Sequence, residues 1–219
     1  MSREMLINVA ESEECRVAVI ENGMLEELYV ERTSLGSHVG NIYKGRVVNI
    51  ESGIQAAFID FGVGKNGFLH ISDIHPRYFE GIGDKYVESI GRRKSLKDRP
   101  PIQDCLRKGQ EVVVQVTKEG LKTKGATLST YLAFPGKYLV MMPWMRKHGV
   151  SHKIEDEDER TRLRQILEES DPPKGRGFII RTAGEGCSKK DIQNDLRYLN
   201  RLWTAIEKRI ETDGAPGEL

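Results

Sequence analysis

Hydrophobic and polar side chains alternate with a period of two in several short segments of this chain, a pattern typical of antiparallel β-structure. Residues 1–35 contain three segments that we predict to be strands: 5–9, 15–20 and 25–30. Asn22-Gly23 separates the last two, and Asn-Gly between apolar segments is a strong hairpin signal. The chain is therefore predicted to begin with short antiparallel strands.

A second strand-rich stretch, residues 36–129, is divided by closely spaced glycines and is rich in Val, Ile, Phe and Tyr between them. This spacing predicts a small antiparallel barrel that resumes at residues 111–118. Residues 75–104 interrupt it with an insertion rich in glycine, proline and basic residues. An insertion of this length and composition is either mobile or functional.

Aromatic and lysine side chains on these strands are typical of a face that binds single-stranded RNA. Phe58 and Phe61 are three residues apart on one strand and so point to opposite sides, whereas Phe58 and Phe68, on adjacent strands, can share a side. One aromatic then stacks on bases while another fills the core. The alternative is that all of them are core residues, since most phenylalanines are buried. The candidate RNA contacts are Lys44, Phe58, Phe61, Phe68 and Lys124.

The pattern changes at about residue 130, where a smaller α/β unit is predicted to span residues 130–219. Strands are expected at 137–142 and 177–182, and a helix at 157–169 with acidic residues in its first turn. Ser188 with Asp191 predicts the start of a long helix. One face of that helix is apolar, which indicates packing in the core or against a partner helix: Ile192, Leu196, Leu199, Trp203, Ile206 and Ile210.

The junction between the second strand and the long helix is a candidate anion site. Arg181 and Thr182 lead through Gly184 and Gly186 to a helix N-terminus, where a guanidinium and free backbone N–H groups can converge on a phosphate. The motif lacks the third glycine of a dinucleotide fingerprint and the lysine of a P-loop. A surface arginine at a structural turn is the alternative.

Charge is distributed unevenly over the 219 residues, although the net charge is only +1. Residues 36–129 hold 15 Lys and Arg against 10 Asp and Glu, and the remainder holds 19 against 23. A basic segment between acidic segments can bind a polyanion such as RNA. The same charge counts are also expected for a basic surface that only contacts solvent. Charged residues make up 31% of the chain and the N-terminus lacks an apolar run, so a cytoplasmic protein without a membrane segment is expected.

The cysteines and histidines predict neither disulfides nor a metal site in this chain. Cys15, Cys105 and Cys187 are far apart and odd in number, without a C-x-x-C motif. The five histidines form no H-E-x-x-H or similar spacing: His38, His70, His75, His148 and His152.

The strand-rich stretch resembles the OB-fold RNA-binding module of the ribosomal S-one type. Three motifs within it, at residues 42–47, 57–62 and 67–69, resemble those of the ribonuclease E/G family in particular. The resemblance is greater to the ribonuclease G branch of that family. The resemblance implies an α+β protein in which this barrel is inserted in an α/β unit. In that unit, residues 1–35 are strands of a partial ribonuclease H-like subdomain, and residues 130–219 form a subdomain that senses RNA 5′ ends.

The same resemblance implies roles for individual residues. Phe58, Phe68 and Lys124 match the family's RNA contacts, while Phe61 stands where some members have tyrosine. The family's pocket for a 5′-monophosphate is matched by Arg181 and Thr182, with Gly136 and Val140 on its backbone side. His152-Lys153 stands where some members have an arginine pair.

The family's Mg²⁺-dependent hydrolysis uses carboxylates of a later domain, followed by a cysteine motif that shares Zn²⁺ between subunits. Neither is found in these 219 residues. The chain is thus expected to be the RNA-binding and 5′-end-sensing N-terminal portion of an endoribonuclease for ribosomal and messenger RNA, without its own active site or cofactor. The resemblance also implies that the full-length protein forms homo-oligomers. A free-standing RNA-binding adaptor in translation or transcription is the alternative.

Overall fold

A computed structural model describes residues 3–11, 14–32, 37–79, 99–120 and 124–219. Most of the 75–104 insertion lies outside the described residues. The described residues fall into two compact units, 1–38 and 39–219, and each is treated by itself.

The first unit is a three-stranded antiparallel sheet in the order β1, β2, β3, formed by Arg3–Glu11, Glu14–Glu21 and Met24–Arg32. Asn22 and Gly23 both have positive φ, at 52° and 82°, as a tight hairpin turn requires. The predicted strands and hairpin are confirmed. Many apolar side chains of this sheet are exposed: Met5, Leu6, Ile7, Val9, Leu25, Leu28, Tyr29 and Val30.

The second unit begins with a closed five-stranded barrel, as predicted. Its strands are β4 (Ile42–Glu51), β5 (Ala56–Asp60), β6 (Gly67–His70), β7 (Glu111–Lys118) and β8 (Thr127–Ser129). The order is β4-β5-β6-β8-β7, and antiparallel pairing of β4 with β7 closes the ring. β8 runs parallel to β6, while the other pairs in the ring are antiparallel.

The remaining strands form a four-stranded sheet beside the barrel. β9 (Phe134–Pro135), β10 (Leu139–Pro143), β11 (Gly149–Val150) and β12 (Arg176–Ile180) are arranged in the order β11-β12-β10-β9. The predicted strand at 177–182 is therefore correct in place but too long, because β12 ends at Ile180 and Thr182–Gly184 form a 3-10 turn. β13 (Gly217–Glu218) returns to the barrel and pairs with the start of β4.

Two helices cover this sheet, and both predictions are confirmed. α1 spans Glu157–Glu169, and Asp156 caps it by accepting from the N–H groups of Asp158 and Glu159. α2 spans Lys189–Thr212 and begins with a capping box between Ser188 and Asp191. The predicted apolar face of α2 lies in or against the core.

Two barrel residues complete the hydrophobic core of the four-stranded sheet and its helices, while the barrel interior holds a buried cluster of its own. Ile42 and Val113 of the barrel lie in the same buried cluster as Trp203 of α2. Gln115 of β7 is also buried there, where its side chain donates to the carbonyls of Gly40 and Ala133 and accepts from the N–H of Ala133. No helix of the described residues is long and apolar enough to cross a membrane.

Candidate nucleic-acid interface

Phe58 of β5 and Phe68 of β6 form an aromatic pair on the outside of the barrel. They are directly opposite each other in the strand register, and their ring centroids are 6.1 Å apart in an edge-to-face arrangement. Both side chains are half-buried, so each ring keeps an accessible surface. The prediction that these two residues share a side is confirmed. Accessible rings of this kind can stack on unpaired bases.

The pair lines a groove of about 650 Å³, which we call the aromatic groove. Lys124 is exposed at its edge, and no acidic side chain of the described residues lies within salt-bridge distance of its ammonium group. The groove thus combines stacking surfaces with a cation that can neutralise a phosphate. Its other lining residues are Lys65, Asn66, Gly125 and Thr127.

Gly125 shapes the groove because its backbone passes very close to that of Asn66. A Cβ atom at position 125 would lie 1.9 Å from the Asn66 carbonyl oxygen, so only glycine fits there. This close approach brings Lys124 next to Phe68, whose N–H donates to the Ala126 carbonyl at 2.8 Å.

Two predicted RNA contacts lie elsewhere. Phe61 is only 2% exposed and packs edge-to-face on Tyr43, with ring centroids 5.1 Å apart, inside the barrel core. Lys44 has a side chain only 14% exposed, and its ammonium group donates to the carbonyls of Ile210 and Asp213 at 2.9 and 2.8 Å. It also pairs with Glu111. Both assignments are corrected, because Phe61 is needed for packing and Lys44 caps the C-terminal end of α2.

The second candidate site brings together the residues predicted around Arg181. The exposed Arg181 guanidinium donates to the Gly136 carbonyl at 2.6 Å, and the Arg181 N–H donates to the Tyr138 carbonyl at 2.8 Å. Thr182 is exposed and follows directly. Val140 lies on the adjacent strand, where it pairs with Ile179, and its side chain is half-buried. We call Gly136, Val140, Arg181 and Thr182 the arginine pocket.

A buried carboxylate holds one wall of this pocket. Asp195 of α2 is 8% exposed and accepts from the N–H groups of Lys137, Tyr138 and Leu139 at 2.8 to 3.1 Å. A Cβ atom on Gly136 would lie 2.6 Å from both carboxylate oxygens, which explains the glycine. Asp195 therefore fixes the turn whose Gly136 carbonyl orients Arg181.

The backbone N–H groups at the start of α2 are less available than predicted. The Gly186 N–H donates to the Glu159 carboxylate at 2.8 Å, and the Asp191 N–H donates to the Ser188 hydroxyl. Hydrogen bonds from Arg162, and then from the Gly186 N–H, lower the pKa of Glu159 from its ordinary value of 4.5 to about 2. These two N–H groups are thus not available to an anion, and the Arg181 guanidinium and the Thr182 hydroxyl are the side-chain donors at this junction.

Sequence reasoning missed Asp195 and the groove residues that flank the aromatic pair. Asp195 was detectable, because an aspartate on the apolar face of an amphipathic helix needs buried hydrogen-bond donors. Lys65, Asn66, Gly125 and Thr127 carry no such signal, since their proximity depends on the closing of the barrel.

Comparison with known proteins identifies two domains in this chain. A profile of the ribonuclease E/G family matches residues 133–219, and one of the S1 RNA-binding domain matches residues 37–130. This chain belongs to the ribonuclease E/G family. It is 44% identical over 95% of its length to ribonuclease G of Salmonella typhimurium and of Escherichia coli K12, and 40% identical over 98% to ribonuclease E of Escherichia coli K12.

The chain spans 41% of the length of those two ribonuclease G proteins and 19% of that ribonuclease E. The aromatic groove lies in the S1 domain, and the arginine pocket lies in the ribonuclease E/G family domain. In the part of the chain that the structure describes, no group of three or more His, Cys, Asp or Glu side chains could hold a metal ion.

Proposed function

We propose that this member of the ribonuclease E/G family is the RNA-binding and 5′-monophosphate-sensing portion of an endoribonuclease that acts on ribosomal and messenger RNA in the cytoplasm. The same proposal includes a longer protein that hydrolyses RNA with Mg²⁺. That protein would form homo-oligomers with Zn²⁺ shared between subunits. The described residues do not fit a metal ion, and none of the steps assigned to them uses one.

The observation that supports 5′-end sensing best is the fixed position of Arg181. Its guanidinium is exposed, and one of its N–H groups is held by the Gly136 carbonyl at 2.6 Å. A planar guanidinium beside the Thr182 hydroxyl can form charge-assisted hydrogen bonds to a terminal phosphate. A 5′-hydroxyl cannot accept them in the same way, so the pocket would distinguish the two RNA ends.

The aromatic groove supplies the second part of the mechanism, which is positioning. Phe58 and Phe68 stack on unpaired bases and Lys124 pairs with a backbone phosphate, so a single strand is held while its 5′ end is tested. The exposed apolar side chains of β1 and β3 support a further assignment. In this proposal, residues 1–35 are the strands of a ribonuclease H-like subdomain, whose remainder lies in the longer protein.

The test compares binding of one single-stranded RNA with a 5′-monophosphate and with a 5′-hydroxyl. We expect the monophosphate to bind better by about 1 kcal/mol at low salt, since the pocket is exposed. Arg181→Ala should remove the preference without changing affinity for 5′-hydroxyl RNA, and Arg181→Lys should restore little of it. Arg164→Ala, which removes an exposed arginine of α1, is the matched control and should keep the preference.

Two outcomes would contradict the proposal. The first is equal binding of both RNAs by the wild-type chain. It would mean that Arg181 is only structural or that sensing needs the rest of the longer protein. Repeating the comparison with the longer protein distinguishes these two cases. The RNAs should also stay intact with Mg²⁺ present, because hydrolysis is assigned to residues outside this chain. Specific cleavage abolished by one acidic substitution would overturn that assignment.

A further inference from the structure

The outward face of α2 carries a line of basic residues that neither candidate site uses. Lys190, Arg197, Arg201 and Lys208 are all exposed. Lys190 and Arg201 are 11 residues apart, and Arg201 and Lys208 are 7 apart, close to three and two whole helical turns. These side chains therefore lie on one face, which we call the α2 basic stripe, over about 27 Å along the helix axis.

The stripe is not a set of helix-stabilising ion pairs. Among the described residues, no carboxylate lies within 4 Å of the charged groups of Lys190, Arg201 or Lys208; the salt bridges of α2 use Lys189 and Arg209. Three of the four acidic residues of α2 lie away from the stripe, and the fourth, Glu211, lies at its C-terminal end, three residues after Lys208. Asp191 caps the helix with Ser188, Asp195 is buried, and Glu207 pairs with Arg176, which leaves Glu211 in the last turn.

An exposed aromatic side chain borders the stripe. Tyr198 is 51% exposed, and it lies four residues after Asn194 and three before Arg201, so both are its neighbours on the helix surface. The apolar face of α2 is buried on the opposite side, at Ile192, Leu196, Leu199 and Trp203. The core therefore does not need Tyr198. A ring among cations offers stacking and charge together, the combination that binds unpaired nucleotides.

Arg197 differs from the other three cations. It borders a hollow of about 390 Å³ that also contains Asp171, and its guanidinium is bonded to the Asn194 side chain and the Gln193 carbonyl. The Asp171 carboxylate would repel a phosphate placed there. The phosphate contacts of the stripe are therefore assigned to Lys190, Arg201 and Lys208.

We propose that the α2 basic stripe is a second RNA-binding surface, which holds single-stranded RNA by phosphate contacts to Lys190, Arg201 and Lys208 and by stacking of a base on Tyr198. The occupant is RNA because the face is cationic and aromatic but not apolar. It is single-stranded because a ring can stack only on an accessible base. The surface is distinct from both the aromatic groove and the arginine pocket.

The test measures binding of a 20-nucleotide single strand with a 5′-hydroxyl, which keeps 5′-phosphate recognition out of the measurement. Changing Lys190, Arg201 and Lys208 together to Gln should weaken binding about tenfold and lower the salt slope by about 2, since each phosphate contact on a single strand contributes about 0.7. The control triple, Arg146, Lys147 and Arg164 to Gln, removes the same charge from exposed positions off the stripe and should change neither quantity by as much.

Tyr198→Ala should weaken binding about fivefold, and Tyr198→Phe should retain the wild-type affinity because the ring remains. All variants change exposed side chains, so an unchanged melting temperature confirms that the fold is intact. Equal losses in both triple variants would show a general charge effect and overturn the proposal. A loss confined to duplex RNA, or no loss in Tyr198→Ala, would overturn the single-strand assignment.

Discussion

At the scale of single residues, neighbouring side chains of the aromatic groove contribute to RNA binding through different interactions. Phe68→Ala removes a stacking surface and should weaken RNA binding by roughly 1–3 kcal/mol. Lys124→Ala removes one phosphate contact and should lower the salt slope by about 0.7. Affinity measured across a salt series separates the two effects, and Lys108→Ala, an exposed lysine of the barrel outside the groove, is the control.

The same experiment must include a measurement of stability. Phe68 packs on Phe58, so its removal also costs some folding free energy. A variant that binds RNA normally but unfolds at a lower denaturant concentration would show that the pair is core packing, and would contradict its assignment to RNA.

Residue positions were predictable where they depend on local geometry. Strand alternation places Phe58 and Phe61 on opposite sides, and the structure has Phe58 in the groove and Phe61 in the core. Lys44 was not predictable in this way, because its partner carbonyls in and after α2 are more than 160 residues away in sequence. Contacts of that kind are decided by how elements meet, which a local pattern does not contain.

At the scale of elements, the helices and strands were predictable because each carries its own signals. Capping residues, period-two alternation and the Asn22-Gly23 turn mark their boundaries. The connections between elements were not predictable. Backbone N–H groups at the junction before α2 were expected to be free for an anion, but that of Gly186 is bonded to Glu159 of α1. The loop that follows the arginine pocket is therefore tethered to a helix 27 residues earlier in the chain.

This tether predicts a pH-dependent loss of stability. The pKa of Glu159 is about 2 in the folded chain and has its ordinary value of 4.5 when unfolded. Its stabilising contribution is therefore present above about pH 4.5 and is lost as the pH falls from there through about 2. We expect about 0.5–1 kcal/mol, since the partner Arg162 is well exposed to solvent.

Denaturant unfolding of wild type and Glu159→Gln between pH 3 and pH 7 checks this expectation. The difference between the two proteins should be largest at pH 7 and shrink towards pH 3. Glu168→Gln, at an exposed position on the same helix, should show no such trend. A difference that stays constant with pH would mean that Glu159 acts through packing and not through its charge.

At the scale of the second compact unit, residues 39–219, the barrel and the four-stranded sheet are packed together. They share a buried cluster that contains Ile42, Val113 and Trp203. The sequence suggested two separate stretches, because the pattern of predicted strands and helices changes at about residue 130. It does not show that barrel residues complete the core of the sheet. The aromatic groove and the arginine pocket thus lie on one compact unit, which we expect to unfold cooperatively.

Gln115 provides the sharpest test of this coupling. Gln115→Leu would leave the carbonyls of Gly40 and Ala133 and the N–H of Ala133 without their buried partner, so we expect a loss of about 2–3 kcal/mol. Unfolding by denaturant can be followed by the fluorescence of Trp144 and Trp203, both in the sheet and helix region, and by amide exchange in β7 of the barrel. Both probes should report the same midpoint concentration of denaturant, lower than that of the wild type. Gln165→Leu, at an exposed position of α1, should change the midpoint little. Two separate transitions, with only one of them moved by Gln115→Leu, would mean that the barrel and the sheet fold independently despite their shared core.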